Sequence, residues 1–419
     1  MVSDTPSLAT PDLGRLQRDF EALSGFREPG LPGWTRRVFS EADGAARAWL
    51  ADAFAQAGLR VSVDAAGNLI GDLDGQSSGP AIVTGSHTDT VAGGGRFDGI
   101  VGVLAAIEMV RVMRAAGVSL RSPLRIVDFL GEEPNEFGLS CVGSRAVAGA
   151  LHPEHLRLRN ASGASLAEAL ARVGNGGDPA SARWRSDDVA AFVELHVEQG
   201  PRLAEEGVPL AVVSAIAGIH RVGVTFTGQP DHAGTTPMAR RHDALCAAAE
   251  AILAIEAIAG DEAVATTGRL QLEPGATNVV PGMVRIWAEF RSPSERWLDG
   301  LEERVADAVA RAAGRRGVSV SIEWFSAVAP VPTHSLVRKA ARRAIHGLGH
   351  ASLELYSGAG HDAAHMAVLA PMGMLFVPSI GGRSHCPEEE THLTDVVTGV
   401  EALAATVLEL DRQLAPAQP

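Results

Sequence analysis

The chain has 419 residues, with 36 Lys and Arg against 50 Asp and Glu, for a formal charge of −14. At about 150 residues per domain this length suggests two or three domains, enough to bury a core without disulfide staples. Apolar residues at 46% and charged residues at 21% exclude disorder or a coiled coil as a reading of the whole, and the acidic balance argues against a nucleic acid or an anionic membrane as partner. Lys339 is the only lysine, which reads as coding bias and carries no argument. Cys141, Cys246 and Cys386 show no CxxC spacing, so free thiols in a reducing compartment are expected. The N-terminus lacks a basic start followed by an apolar core, and no apolar run approaches the roughly 20 residues of a membrane span. A cytosolic protein is expected.

In chain order, residues 11–60 read as helical, with amphipathic spacing from Glu41 to Ala57. Leu59–Leu73 alternates like strands around Gly67. Pro80–Gly85 is a short apolar run of the kind that forms a buried strand, and it leads into Ser86-His87-Thr88-Asp89 and a glycine-rich loop. Ile100–Ala116 has helical spacing. Leu124–Leu130 is a second buried strand and ends in Gly131-Glu132-Glu133. Phe192–Leu195 is a third and ends in His196. Strands alternating with helices predict an α/β sheet, at least partly parallel. Three of its strands deliver polar residues past their C-terminal ends, where open α/β sheets place ligand sites. After Val213 the pattern changes. His220–Phe226, Arg269–Leu272, Met283–Phe290 and Val318–Trp324 read as strands, and Ala244–Ala259 and Glu295–Ala313 as helices, which predicts a smaller α+β unit. From His334 the α/β pattern returns: a helix to about His346, a strand at Met374–Val377 and a last helix from about Thr394. The expected organisation is a catalytic domain over residues 1–212 and 332–419, interrupted by an inserted domain over 213–331.

The chemistry-bearing residues sit at these strand ends. His87 follows a buried strand, Asp89 comes two residues later, and Asp98 is bracketed by glycines. A zinc site draws imidazole nitrogen and carboxylate oxygen from separate loops, and Asp89 is placed to take the other ring N–H of His87. Glu132 and Glu133, adjacent on an extended segment, point opposite ways and so serve two roles, one ligating and one handling protons. A lone histidine is more often structural than a ligand, and an acidic doublet alone says little. Four such elements at strand ends, counting His385 in the loop after Met374–Val377, make independent bland readings much harder to sustain. His87, Asp98, Glu133, His196 and His385 are too many ligands for one tetrahedral zinc. Two metals sharing one carboxylate would use them all.

The stretches GSHTDTVAGGGRFDGIVGV (85–103), FLGEEPNEFGLSCVGSRA (129–146), ELHVEQGPRL (194–203), GQPDHAGTTPM (228–238), PGATNVVPG (274–282), SGAGHDA (357–363) and RSHCPEE (383–389) resemble the binuclear-metal aminoacylase and carboxypeptidase superfamily. Within it they resemble the hydantoinase/carbamoylase branch of N-carbamoyl-L-amino-acid hydrolases, β-ureidopropionases and allantoate amidohydrolases. The resemblance implies a mostly parallel, zinc-peptidase-like catalytic domain and an inserted dimerisation and lid domain in a cytoplasmic homodimer. It implies two divalent ions per subunit, zinc first, with manganese, cobalt or nickel as alternatives. Asp98 would bridge them, His87 and His196 completing one site, Glu133 and His385 the other. Glu132 would be the general base and acid and Asp89 the partner of His87. His232 would stabilise the oxyanion in the neighbouring subunit's site. Asn278 and Arg291 would bind the substrate carboxylate, helped by Gln199 and by the Gly358–His361 loop, including Gly360 and His361. The implied reaction cleaves the carbamoyl C–N bond of an N-carbamoyl-L-amino acid or related ureido acid, with N-acyl-amino-acid or dipeptide hydrolysis as the more distant alternative. Pro134-Asn135-Glu136-Phe137-Gly138 departs from relatives that carry a Gly and then a basic residue soon after the Glu pair, which weakens an allantoate-specific reading.

Overall fold

The computed structural model describes residues 8–261 and 263–414. In chain order its strands are β1 (Arg60–Val63), β2 (Leu69–Leu73), β3 (Ala81–His87), β4 (Leu124–Phe129), β5 (Val189–Val197), β6 (Ala211–Ile216), β7 (Gly218–Thr227), β8 (Val264–Glu273), β9 (Met283–Ser292), β10 (Ser319–Val328), β11 (Val331–Pro332), β12 (Leu353–Ser357) and β13 (Met372–Val377). They form a mixed nine-stranded sheet, ordered β1-β2-β4-β3-β5-β13-β6-β11 with β12 paired to β6, and a separate four-stranded sheet, β10-β7-β9-β8. Strands β4, β3, β5 and β13 are parallel neighbours at the centre of the large sheet. The small sheet is antiparallel throughout. This is the expected fold class.

Two compact units follow: residues 8–214, 333–355 and 360–414, and residues 215–332 with 356–359. In the larger unit, β3 is buried along its whole length, as a strand covered on both faces must be. The crossover helix Ile100–Ala115 is apolar nearly all round because it is enclosed. It shares a core with helices Leu13–Gly25 and Leu393–Leu414 through residues such as Phe20, Leu104, Ile107, Leu403 and Val407. In the smaller unit, β9 alternates strictly between buried and half-buried positions, the pattern of an antiparallel strand with one solvated face. Its inner face (Val284, Ile286, Phe290) packs with Ala247, Ala251 and Val305 of helices Ala244–Ile258 and Leu301–Arg316.

The elements depart from expectation in three places. Residues 11–60 are not continuously helical: helices Leu13–Gly25 and Glu41–Gln56 are separated by irregular chain. Pro29, Gly30, Pro32 and Gly33 break the spacing there, and Gly30 and Gly33 adopt positive φ. The helix expected from Glu295 to Ala313 is two, Glu295–Asp299 and Leu301–Arg316, parted at Gly300. Strands β6, β11 and β12 were not anticipated, because they are defined by pairing with distant segments, β6 with β13 and both β11 and β12 with β6, rather than by local patterning.

Candidate active site

Four adjacent parallel strands end on one edge of the large sheet, and their chain order does not matter to that outcome. His87 is the last residue of β3, Glu132 and Glu133 follow β4 after Gly131, His196 is the penultimate residue of β5, and the loop bearing His385 follows β13. Asp98 reaches the same place from the loop between β3 and the crossover helix. Gly99 makes that approach possible: its φ is +68°, and a Cβ there would lie 2.3 Å from the Nε2 of His87.

Among the described residues three sets of candidate ligand atoms converge, two of them sharing Asp98 and the third made of Glu194, His196 and His361. Asp98 Oδ1 lies 3.2 Å from His196 Nε2 and 3.9 Å from His87 Nε2. Its Oδ2 lies 3.4 Å from His385 Nε2, which in turn lies 3.1 Å from Glu133 Oε1. His87 and His196 each anchor Nδ1 on a backbone carbonyl, that of Asp89 at 3.0 Å and that of Val197 at 2.9 Å. Both therefore present Nε2 inward, the arrangement that orients an imidazole toward a metal. Asp98, Glu133, His87 and His196 are at least nine-tenths buried, whereas the His385 side chain is 48% exposed.

The electrostatics state the same need. Burial opposes charging His87, but the hydrogen bond with Asp89 and the carboxylates of Glu132 and Glu133 outweigh it and raise the ring well above its ordinary value. His385 is pushed up to about 11 by its bonds to Asp98 and Glu133. Burial also opposes ionising Asp98, yet the surrounding imidazoles hold it well below the usual carboxylate range. Glu132 goes the other way: burial and neighbouring carboxylates push it well up, against the pull of His87. The enclosed carboxylates thus draw positive charge onto the rings. A pair of divalent cations would supply that charge, and a set of imidazole nitrogens and carboxylate oxygens split by one shared Asp fits them.

Glu132 stands beside the cluster, with Oε2 3.7 Å from His87 Nε2 and Oε1 accepting from the Cys141 thiol at 3.4 Å. Asp89 does more than pair with His87. His87 Nδ1 faces its carbonyl at 3.0 Å and its carboxylate at 3.5 Å. The carboxylate also accepts the backbone N–H groups of Glu132 (3.1 Å) and Glu133 (3.3 Å), so Asp89 positions the acidic pair. Gln199, at φ +61°, donates Nε2–H to Asp98 Oδ2 at 2.6 Å. His361 is buried, its ring 4.5 Å from that of His196 and edge-on to it; burial and His196 push it well down. Gly360 is exposed beside it. Glu136, in the departing loop, is exposed, while Phe137 beside it is buried against Val38 and Leu139.

His232, Asn278 and Arg291 lie in the smaller unit. His232 and Asn278 are exposed on segments joined by a bridge between His232 and Val279 and by the bond from Ala233 N to Asn278 O, 2.9 Å. His232 Nδ1 accepts the N–H groups of Gly234 (2.9 Å) and Thr235 (3.2 Å), which leaves Nε2 as the donor nitrogen of the neutral ring. Arg291 is held by Glu289 at 2.6 Å and by the Gly358 carbonyl at 2.7 Å.

Sequence reading passed over several residues that brace the cluster. Glu389 and Ser384 bond the Asp98 segment. Buried Arg36 donates to the Thr88 carbonyl at 2.8 Å. Glu194 accepts from Ser86 at 2.7 Å and from Ala363 N at 3.2 Å. Ser384 and Glu389 lie inside the stretch RSHCPEE (383–389) and Glu194 opens ELHVEQGPRL (194–203), which was their only signal; Arg36 carried none.

Residues 69–409 match the model of peptidase family M20/M25/M40. An N-carbamoyl-L-amino acid amidohydrolase of Geobacillus stearothermophilus is 40% identical over 383 residues, 90% of this chain and 93% of the relative. A ureidoglycolate hydrolase of rice is 35% identical over 413 residues, 96% of this chain and 85% of the relative. A hydantoinase/carbamoylase family amidase of Burkholderia multivorans superposes with a TM-score of 0.89 at 33% identity, over 96% of this chain and 98% of that one. With the strand-end cluster in place and likeness over nearly the whole length, the chain belongs to the M20 peptidase family, in its hydantoinase/carbamoylase branch.

Proposed function

We propose that this hydrolase cleaves the carbamoyl C–N bond of an N-carbamoyl-L-amino acid or a closely related ureido acid, giving the amino acid, ammonia and carbon dioxide. The observation that carries the reading is the division of Asp98, Oδ1 facing His87 and His196 and Oδ2 facing His385 and Glu133, with Glu132 alongside and outside both groups. Relatives named for N-carbamoyl-L-amino acids and for ureidoglycolate support a ureido substrate. β-Ureidopropionate and allantoate are the nearest alternatives; residues 134–138 depart from the Gly and following basic residue that relatives carry after the Glu pair, and exposed Glu136 stands there instead, which weakens allantoate.

In this reading His87, Asp98 and His196 would hold one divalent ion, zinc first with manganese, cobalt or nickel as alternatives, and Asp98, Glu133 and His385 would hold the other. Two such ions would supply hydroxide near neutral pH by lowering the pKa of a bound water. Glu132 accepts the proton released during attack on the carbamoyl carbon and delivers it to the leaving nitrogen. Its raised proton affinity suits the second half of that task. Asp89 fixes the backbone of the Glu132–Glu133 pair through both of its oxygens. The Nε2–H of His232, contributed by a partner subunit in a homodimer, stabilises the oxyanion, and Arg291 with Asn278, Gln199, Gly360 and His361 orients the substrate carboxylate. The inserted unit is then a dimerisation and lid domain. The free cysteines support a cytosolic setting, and among the described residues no helix is long and apolar enough to cross a membrane.

The test is a panel of N-carbamoyl and N-acetyl amino acids on protein of known metal content. Ammonia release from the carbamoyl series and none of the acyl series is expected. Carboxylate release from the acyl series would make it an aminoacylase, and tight binding without hydrolysis of either would make it a ligand-binding relative.

A further inference from the structure

We propose that Glu389 is a positioning residue that sets both halves of the shared carboxylate, by tying the loop of His385 to the loop of Asp98. The inference rests on the binuclear reading above. Glu389 is 2% exposed and spends both oxygens on the site. Oε1 accepts the backbone N–H groups of Phe97 (2.8 Å) and of Asp98 itself (3.0 Å). Oε2 lies 2.8 Å from the hydroxyl of Ser384, which also meets Asp98 Oδ2, so one hydroxyl proton is shared between the two carboxylates. The residue thus grips Asp98 from behind through its main chain and in front through Ser384, the neighbour of His385.

Three further observations bear on this. The glycine-rich loop makes room for the carboxylate: a Cβ at Gly95 would lie 2.3 Å from Glu389 Cδ. His385 sits at φ +57°, an uncommon conformation for a residue other than glycine, so its loop needs an external constraint to persist. Asp98 and Glu389 are 291 residues apart, and no local hydrogen bond can substitute for this one. An anion this deeply buried is costly unless it is well bonded, and these bonds go to the residue that both metal groups share. Partners of this kind typically change metal affinity by about 10- to 100-fold when lost.

The two oxygens predict separable effects. Ser384→Ala leaves Glu389 Oε1 on the Phe97 and Asp98 N–H groups but removes the hydroxyl between Oε2 and Asp98 Oδ2, so it releases only the His385 loop. Glu389→Ala releases both. Full-length zinc-loaded protein is challenged with graded chelator, and bound zinc per chain is counted alongside melting temperature. Wild type is expected to lose two ions. In Ser384→Ala one of them should leave at about 10- to 100-fold lower chelator, with the other unchanged; in Glu389→Ala both should leave early. Should Glu389→Ala fail to fold, Ser384→Ala decides. Folded variants that melt lower but surrender zinc on the wild-type curve would overturn the proposal, since Glu389 would then brace the fold alone. A wild-type chain that carries fewer than two ions would overturn the binuclear reading itself, and this inference would fall with it.

Discussion

The larger and smaller units handle their functional candidates in opposite ways. In the larger, His87, Asp98, Glu133 and His196 are buried and satisfied by one another. In the smaller, His232 and Asn278 are exposed, and Arg291 is satisfied by an acidic neighbour and a carbonyl of its own unit. Buried charge is expensive unless paired, so a buried cluster of this composition declares a purpose through its geometry. An exposed donor costs little and declares nothing until substrate arrives. The larger unit's candidates are therefore readable from their geometry, whereas the roles proposed for those of the smaller have to be measured.

The contrast can be broken at its strongest point first. Glu132→Gln should lower ammonia release by about 100- to 10,000-fold, the span typical of a general acid–base, with both metal equivalents retained by elemental analysis; a rate near wild type would remove Glu132 from the mechanism. His232→Ala should cost about 100- to 1,000-fold in kcat, as losing one oxyanion donor does, with little change in metal content. Mixing His232→Ala chains with Glu132→Gln chains should restore partial activity if the donor works across subunits, and mixed dimers that stay inactive would confine it to its own chain. Arg291→Lys keeps the charge but loses the planar fork, so KM should rise by about 10- to 100-fold, a loss in the range of charge-assisted hydrogen bonds, with kcat nearly unchanged.

A smaller effect belongs to a histidine of the larger unit that is none of the five candidate ligands. His365, in the larger unit, is pushed down to about 4, first by burial and then by Arg145. The folded state resists a proton that the unfolded chain accepts near 6.5. Stability is thus intact above about pH 6.5 and drains away as the pH falls toward 4, by at most on the order of 3 kcal/mol. His365→Gln should flatten that part of the stability curve in chemical denaturation.

Much of the site was legible before any coordinates. Buried strands announce themselves as short apolar runs, and the first polar residues past them are local facts of sequence, so His87, Glu132, Glu133 and His196 could be marked one by one. Asp89 shows where that legibility stops. Its spacing from His87 suggested a carboxylate–imidazole pair, but the shorter bond comes from its carbonyl, and the carboxylate also serves the Glu pair arriving from β4. The segment 26–40 was misread for a related reason: helical spacing on either side concealed a turn-rich stretch whose Arg36 is enclosed against the Thr88 loop.

What the sequence alone determined is the alternation of elements, the residues set at their ends and the family they belong to, because periodicity, turn chemistry and motif are properties of neighbours along the chain. What only the tertiary structure decided is which oxygen of Asp98 faces which histidine, and that Glu389 holds the carboxylate in place. Those relations join segments up to about 290 residues apart. They are set by the parallel order of four strands and by where a buried charge can find its partners, neither of which leaves a periodic trace in the sequence.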